Sequence, residues 1–189
     1  MNADALTQFI ASEIEPHAQR WEKDRLVPNE TFEKAGQAGL CGLMVPIEDG
    51  GYNLPLGELV TVFEKLAYSD MGFAFALIPH NNLANAIARE ATGPVKNRYL
   101  EAMLAGELLG AFLLTEPGVG SDASRITTRA ELTGNRWLLN GEKSWVTNGS
   151  RAGLLRVYAQ TEPGSGASGI AAFLVDADQA GVTSSQPYD

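Results

Sequence analysis

The segment from Phe112 to Asp122 carries the groups in this sequence best suited to chemistry. It reads Phe-Leu-Leu-Thr-Glu-Pro-Gly-Val-Gly-Ser-Asp, and Thr115 and Ser121 supply its hydroxyls. Gly118 and Gly120 permit positive φ and allow a ligand to approach bare backbone. Consecutive N–H groups in such a loop can hold anionic or carbonyl oxygens. A strand ending here could therefore hold the edge of a cofactor; the alternative is an ordinary surface turn, since glycine and proline are common turn formers.

Two carboxylates in the same segment, Glu116 and Asp122, invite an acid–base interpretation. Both fall within a tight turn, where carboxylates commonly accept backbone N–H bonds. Hydrogen bonds to the charged form favour ionisation. We therefore predict that both side chains are structural, ionised acceptors rather than the catalytic base.

The second candidate segment is Trp137–Gly149, about twenty residues further along. Its Asn140–Gly141 dipeptide is a strong signal for a two-residue hairpin, with Lys143–Thr147 as the following strand. In a strand, Trp145 and Thr147 point to the same side and can share a site. The lysine that begins this strand is predicted to be solvated, and a core aromatic is the alternative interpretation of the tryptophan.

Together, the two segments resemble the paired signatures of the acyl-CoA dehydrogenase family. Residues 115–122 are similar to the family's Thr-Glu-Pro-x-x-Gly-Ser-Asp loop, and residues 140–148 to its Asn-Gly-x-Lys-x-Trp-Ile-Thr-Asn segment. The likeness extends upstream through Gly50–Tyr52 and His80–Leu83, and so covers nearly the whole chain. It implies a flavoprotein oxidoreductase of fatty acid metabolism. The family's reaction is the α,β-dehydrogenation of an acyl-CoA thioester, with FAD as the cofactor.

The resemblance also assigns site residues. Trp145 is expected to cover one face of the flavin, and Thr147 to form a hydrogen bond near its N5 atom. Ser121 is expected to contact both cofactor and acyl-CoA, with Thr115 as a donor to the polar edge of the ring. The residues implied to lie along the isoalloxazine and ribityl groups are Phe112, Leu114, Thr115, Gly120 and Ser121. Arg125 departs from the family, which usually has a small residue there, and either affects the approach of a CoA phosphate or forms an outward salt bridge.

No catalytic base is predicted from this chain, because the family takes it from a C-terminal region with no counterpart here. The family's strand domain continues beyond this point and a four-helix domain follows, so we expect either a fragment or a second chain that completes the sheet. The expected partners are acyl-CoA, an electron-transfer flavoprotein as acceptor, and further copies or subunits in an oligomer. The alternatives are a non-catalytic structural subunit, a flavin-dependent acyl oxidase and an acyl-carrier-protein dehydrogenase.

Hydrophobic periodicity predicts an α+β chain. An N-terminal all-α helical bundle, residues 1–108, precedes an incomplete antiparallel β-barrel-like domain, residues 109–189. Apolar residues three and four positions apart predict the helices, which Pro16 and Pro79 should kink or break. His80 and Asn81 are interpreted as caps for backbone groups rather than as pocket residues. From Leu108 the period changes to two, and the predicted strands after the glycine-rich loop are Ile126–Leu132, Trp137–Leu139, Lys143–Thr147, Leu154–Gln160 and Ile170–Val175.

Composition excludes several functions. The chain has 189 residues and a net charge of −9, with no basic run that would favour nucleic-acid binding. Its single cysteine, Cys41, predicts a buried thiol in a reduced, cytoplasmic protein. With two histidines, a histidine metal site has little support. The longest apolar run, around Phe73–Ile78, is too short to span a bilayer.

Overall fold

The computed structural model describes residues 3–185, and its contacts divide the chain into two compact units, Met1–Gly110 and Ala111–Asp189. The first unit is helical and the second contains the sheet, so the predicted α+β class is confirmed. In the described part of the first unit, the α-helices are α1 (Ala3–Phe9), α2 (Ala18–Asp24), α3 (Asn29–Gln37), α4 (Leu56–Ser69), α5 (Met71–Glu90) and α6 (Gly93–Leu104).

Aromatic rings form the centre of the helical unit. Phe73 of α5 is fully buried, and its ring centroid lies 6.0 Å from Phe9, 6.3 Å from Trp21 and 5.4 Å from Phe32. Rings at these separations in tilted arrangements add favourable contacts beyond their burial. The helix that carries Phe73 begins at Met71, because the carboxylate of Asp70 accepts a 2.6 Å hydrogen bond from the Phe73 N–H.

The two prolines predicted to interrupt helices behave differently. Near Pro16 the chain passes through a π-helical turn at Ile10–Ile14, and α2 begins only at Ala18, so the predicted split is confirmed. Pro79 does not break its helix, which is one of the two effects predicted for it, because α5 continues from Met71 to Glu90. Proline removes one backbone donor. In α5 the buried side chains on either side of Pro79 hold the helix together despite that loss.

Asn81 caps backbone groups of the loop before α4, as predicted. Its Oδ1 accepts from the Leu43 N–H at 2.9 Å. Its Nδ2 donates to the carbonyl oxygens of Leu40 at 2.9 Å and Leu77 at 3.1 Å. The fully buried amide thus satisfies backbone groups on two different elements.

His80 is also buried and satisfies backbone groups. Its Nε2 lies 3.1 Å from the Met103 carbonyl oxygen, and its Nδ1 accepts from the Gly110 N–H at 3.2 Å. Burial lowers the pKa of His80 to about 4, with the Met103 hydrogen bond opposing the shift. A neutral imidazole with Nε2–H as donor meets both contacts. The capping interpretation of His80 is therefore confirmed.

The second unit contains a five-stranded sheet in its described part. The strands are β1 (Gly110–Leu113), β2 (Arg129–Thr133), β3 (Arg136–Asn140), β4 (Leu154–Gln160) and β5 (Ile170–Asp176). The order is β1-β4-β2-β3, with β5 paired to β4. The β2–β3 and β4–β5 pairs are antiparallel as expected, but β2 and β4 pair in parallel, so the sheet is mixed. Across the described strands, no pairing closes this order into a barrel.

The hairpin predicted at Asn140–Gly141 is wrong. The observed hairpin joins β2 to β3 through Gly134 and Asn135, and Gly134 adopts a φ of +64°. After β3 the chain is irregular from 141 to 150, so residues 143–147 are not a strand. Gly141 is required for steric reasons, because a Cβ at this position would lie 2.3 Å from Oγ1 of Thr128. The glycine permits close approach of two chain segments rather than a turn.

Candidate functional site

The loop after β1 is a tight turn with an open outer surface. Glu116 N–H donates to the Val119 carbonyl oxygen and Val119 N–H to that of Glu116, each at 3.0 Å. Gly118 and Gly120 do not adopt positive φ in this turn, so the positive-φ role predicted for these two glycines is not observed. A Cβ at either glycine would meet nothing within 4 Å, so the backbone there is accessible to a ligand.

The side chain of Glu116 is buried and accepts hydrogen bonds from a cluster of donors. One carboxylate oxygen accepts from the N–H and the hydroxyl of Thr127, both at 2.6 Å. The other accepts from the N–H of Thr128 at 2.9 Å, from its hydroxyl at 2.6 Å and from Lys143 Nζ at 2.8 Å. Only 4% of Glu116 is exposed. Five donors thus converge on the two oxygens.

This environment determines the charge of Glu116. Burial acts to raise its pKa, but the hydrogen bonds from Lys143, Thr127 and Thr128 outweigh burial and lower the pKa to about 2. A carboxylate with so low a pKa is a poor proton acceptor at neutral pH. The prediction that Glu116 is a structural, ionised acceptor is therefore confirmed by its contacts.

Lys143 was predicted to be solvated, and this prediction is wrong. Its side chain is 5% exposed, and Nζ donates to the Leu114 carbonyl oxygen at 3.0 Å as well as to Glu116. Burial lowers the pKa of Lys143, and the adjacent carboxylate of Glu116 opposes that shift. The burial of Lys143 was not predicted because its acceptors lie 27 and 29 positions earlier in the sequence. The alternation of residues within one strand carries no information about such distant partners.

These contacts join the two candidate segments. In addition to the lysine bonds, the Ser144 N–H donates to the Thr115 carbonyl oxygen at 2.9 Å. Trp145, the next residue, is 72% exposed and has a φ of +56°. A tryptophan in this left-handed region is strained by about 1–3 kcal/mol, and such strain is concentrated at functional sites. Thr147 follows in a turn and is half-buried. The predicted convergence of the two segments is thus observed, although not through a shared strand.

The remaining predicted residues are less closely connected. Phe112 lies on β1, and the centroid of its ring lies 4.9 Å from the ring centroid of Tyr158. Leu114 reaches the second segment through its carbonyl oxygen. Gly120 and Ser121 are exposed at the far end of the turn, and within residues 3–185 neither forms a hydrogen bond to the 143–147 segment.

Asp122 and Arg125, at the end of the loop, form different contacts from those predicted for them. The Asp122 carboxylate accepts a 2.5 Å hydrogen bond from the Ser124 hydroxyl. Among residues 3–185 it accepts none from a backbone N–H, so its predicted role as a backbone acceptor is wrong. Arg125 is exposed at the end of a 3₁₀ turn, Ala123–Arg125, and the outward salt bridge considered for it is not observed among the described residues.

The residues of the two joined segments have features that a flavin requires. The exposed indole of Trp145 offers the flat surface that a planar heteroaromatic ring requires, and the open backbone at Gly118 and Gly120 offers accessible polar groups. The buried hydroxyl of Ser144 is without a hydrogen-bond partner in the described part of the chain. Such an orphaned group costs about 1–3 kcal/mol, which a bound polar group would offset. The residues present therefore fit a ligand of this kind.

Sequence reasoning missed Thr127 and Thr128 as partners of the loop. It extended a strand back to Ile126, whereas β2 begins at Arg129. The N–H groups of both threonines are directed to Glu116 and are unavailable to a neighbouring strand. Two adjacent threonines before a strand were the one available signal, because their hydroxyls can serve a buried acceptor.

The geometry defines an α+β protein whose sheet unit presents two joined loops beside an exposed tryptophan. Family models for the acyl-CoA dehydrogenase N-terminal domain and middle domain match residues 1–107 and 111–189. The chain therefore belongs to the acyl-CoA dehydrogenase family.

Similar proteins agree with this assignment. The chain is 32% identical to the mitochondrial isovaleryl-CoA dehydrogenase of Arabidopsis thaliana over 189 residues, which are 98% of this chain and 46% of that protein. It is 37% identical to the acryloyl-CoA reductase (NADH) of Anaerotignum propionicum over 171 residues, 89% of this chain and 43% of that one. The glutaryl-CoA dehydrogenase of Mycobacterium smegmatis in complex with FADH2 superposes with a TM-score of 0.86 at 29% identity, covering 96% of this chain and 47% of that chain. The chain spans less than half the length of each.

No helix in residues 3–185 combines the length and the apolarity needed to cross a membrane. The same residues contain no group of three or more histidine, cysteine or acidic side chains placed to hold a metal ion. Cys41 is buried, as predicted, and burial raises the pKa of its thiol to about 12.

Proposed function

We propose that this chain forms part of the FAD and acyl-CoA site of an enzyme that dehydrogenates an acyl-CoA thioester between its α and β carbons. The supporting observation is the joining of the two signature segments, through the 2.9 Å bond from Ser144 N–H to the Thr115 carbonyl oxygen. FAD, when bound, would supply the redox chemistry, and the protein its placement.

In this proposal, Trp145 provides a flat surface against the isoalloxazine, and Thr147 a hydroxyl beside it. Thr115 and Ser121 supply hydroxyls along the opposite segment, where the open glycine backbone leaves room for the ligand. Phe112 and Leu114 form the apolar side of the same segment. Because the two segments are held together within the protein, little ordering entropy would be lost on binding.

The proton acceptor is proposed to come from outside these residues. Glu116 is the buried carboxylate of the site, and its five hydrogen bonds leave it no capacity as a base at neutral pH. We also propose that an electron-transfer flavoprotein accepts the electrons. Since one relative is named a reductase, activity should be assayed in both directions.

Flavin binding is the first test. Purified chain is equilibrated with FAD, and bound flavin is measured by its visible absorbance after gel filtration. Trp145→Ala and Thr147→Ala should each weaken FAD binding about tenfold, since stacking and a hydrogen bond are each worth about 1–2 kcal/mol. The matched controls are Trp137→Ala, an exposed tryptophan of β3, and Thr133→Ala at the end of β2.

Unchanged FAD affinity in both site variants would contradict the assignment. So would equal losses in the β2 and β3 controls, because that result would indicate general destabilisation. We expect no turnover of any acyl-CoA by residues 1–189 alone. Turnover would show that a base exists in this chain.

A further inference from the structure

The chain contains two asparagine–glycine dipeptides, Asn140–Gly141 and Asn148–Gly149, and neither has a part in the proposed ligand contacts. Asparagine before glycine is chemically reactive, because glycine has no side chain to hinder attack by its nitrogen on the asparagine amide. The two reacting groups belong to adjacent residues, so the attack is intramolecular and gains from proximity. The two dipeptides have identical chemistry, but the fold gives them different surroundings.

The Asn140–Gly141 dipeptide lies at the exposed end of a strand. Asn140 is the last residue of β3, and the chain is irregular from Gly141 onward. Both residues are exposed. Within residues 3–185, neither the side-chain amide of Asn140 nor the N–H of Gly141 forms a hydrogen bond. The attacking nitrogen and the amide that it would attack are therefore both unengaged.

The Asn148–Gly149 dipeptide is held in a turn by hydrogen bonds at both ends of its peptide group. The Gly149 N–H donates to the Val146 carbonyl oxygen at 3.0 Å. The Asn148 carbonyl oxygen accepts from the N–H groups of Arg151 at 3.0 Å and Ala152 at 2.8 Å. Asn148 is half-buried and has a φ of +65°. The Gly149 nitrogen can attack only after its hydrogen bond breaks and the turn opens, so the turn protects this dipeptide.

We propose that Asn140 is a site of spontaneous deamidation, whereas Asn148 is protected by the fold. The Gly141 nitrogen forms a bond to Cγ of Asn140, the Cγ–Nδ2 bond breaks, and ammonia leaves with the Gly141 amide proton. Water then opens the resulting cyclic imide. Its attack at Cγ gives aspartate, and its attack at the main-chain carbonyl carbon gives isoaspartate, in which the backbone runs through the side chain. No electrons are transferred, and water is the co-reactant.

Isoaspartate at position 140 would lengthen the backbone where the structure has no room. A Cβ on Gly141 would lie 2.3 Å from Oγ1 of Thr128. The Thr128 hydroxyl donates to Glu116 at 2.6 Å, and Lys143, shortly after Gly141, donates to the same oxygen at 2.8 Å. An added main-chain carbon should displace these contacts and loosen the joining of the two segments. This inference does not depend on the proposed function, because it concerns the chain's own backbone.

Tryptic peptides report the two asparagines separately, because cleavage after Arg136, Lys143 and Arg151 places Asn140 and Asn148 in different peptides. Purified chain is incubated in mildly alkaline buffer, which promotes loss of the glycine amide proton. The mass gain from amide to acid is followed in each peptide by liquid chromatography with mass spectrometry. Isoaspartate is distinguished from aspartate by enzymatic methylation with an isoaspartyl methyltransferase. Asn140→Gln is the test variant and Asn148→Gln is its matched control.

We expect Asn140 to deamidate at least about tenfold faster than Asn148 in the folded chain. A factor of ten in rate corresponds to about 1.4 kcal/mol, which is about the contribution of one hydrogen bond such as that of Gly149. In chain unfolded by urea the two rates should converge, because the protecting turn is lost. Asn140→Gln should remove most of the isoaspartate that forms, whereas Asn148→Gln should leave its amount unchanged.

Urea unfolding of the aged chain tests the structural consequence. The isoaspartate fraction, separated by ion exchange, should have a folded-to-unfolded ratio at least about tenfold below that of fresh chain, since several hydrogen bonds are disturbed together. Asn140→Asp adds the charge without lengthening the backbone, and it should change this ratio by less than about threefold.

Three outcomes would overturn the proposal: equal rates at the two asparagines in the folded chain, a faster rate at Asn148, or a rate difference that persists in urea. The last result would show that the local sequence, and not the fold, sets the difference. An isoaspartate fraction as stable as fresh chain would refute the displacement of the Thr128 and Lys143 contacts.

Discussion

Replacing Glu116 by glutamine should destabilise the sheet unit in a pH-dependent manner. The carboxylate has a pKa of about 2 in the folded chain, against an ordinary value of 4.5. A difference of about 2.5 units corresponds to about 3 kcal/mol of folding free energy at neutral pH. Loss of one partner from a buried ion pair gives a similar figure, about 3–5 kcal/mol. An amide also has only one acceptor oxygen for five donors, so several would be left unpaired.

The dependence on pH follows from the direction of the shift. Because the folded pKa of Glu116 lies below the unfolded one, its contribution is complete above about pH 4.5 and is lost as the pH falls towards 2. The free-energy difference between wild type and Glu116→Gln should therefore be constant from pH 7 to 5 and decrease below that range.

Urea unfolding measures this difference if the signal reports the sheet unit alone. Trp21 belongs to the helical unit, whereas Trp137 and Trp145 belong to the sheet unit. In a Trp21→Phe background, tryptophan fluorescence therefore follows the second unit. Glu131→Gln, an exposed charge change on β2, is the matched control and should alter stability by less than about 0.5 kcal/mol.

A double-mutant cycle tests the ion pair itself. Lys143→Met combined with Glu116→Gln should cost less than the sum of the single changes, because each single change leaves a buried group without its partner. A cost below about 1 kcal/mol for Glu116→Gln at pH 7, or a cost that does not vary with pH, would refute the argument.

Two further changes test the joining of the segments by the same unfolding assay. Gly141→Ala should cost about 2 kcal/mol or more, because its Cβ would lie 2.3 Å from Oγ1 of Thr128. Gly118→Ala, where a Cβ meets nothing within 4 Å, is its control, and equal costs would contradict the steric explanation. Ser144→Ala should leave stability unchanged or raise it, since the hydroxyl has no partner in the described chain. A loss above about 1 kcal/mol would reveal a structural hydrogen bond at that hydroxyl.

Elements with local signals were predicted well from the sequence. Strands β4 and β5 fall at the predicted residues because apolar runs bounded by glycine and proline are local signals. The start of α5 was predictable because Asp70 lies at its N-cap. The two strands and the start of α5 are each determined by residues that are close together in the sequence.

Residues 143–147 were mispredicted because their conformation depends on distant partners. Alternation favoured a strand, but the Lys143 ammonium group and the Ser144 N–H are bound by the loop at 114–116. Those bonds direct the chain into a turn, and Trp145 accordingly adopts a left-handed conformation. Contacts between residues 27 or more positions apart leave no periodic pattern in a single sequence.

The two signatures therefore contain residues with different tasks. Glu116 and Lys143 are buried and hold the segments together, whereas Trp145 and Ser121 remain exposed. Recognition of the motif alone cannot separate them, because both kinds of residue occur in the same short pattern. Burial does separate them: changes at the first pair should lower folding stability, and changes at the second should alter ligand binding with little effect on folding. The motif thus specifies the shape of the site through its buried charges, and the proposed ligand contacts through the residues that this shape leaves exposed.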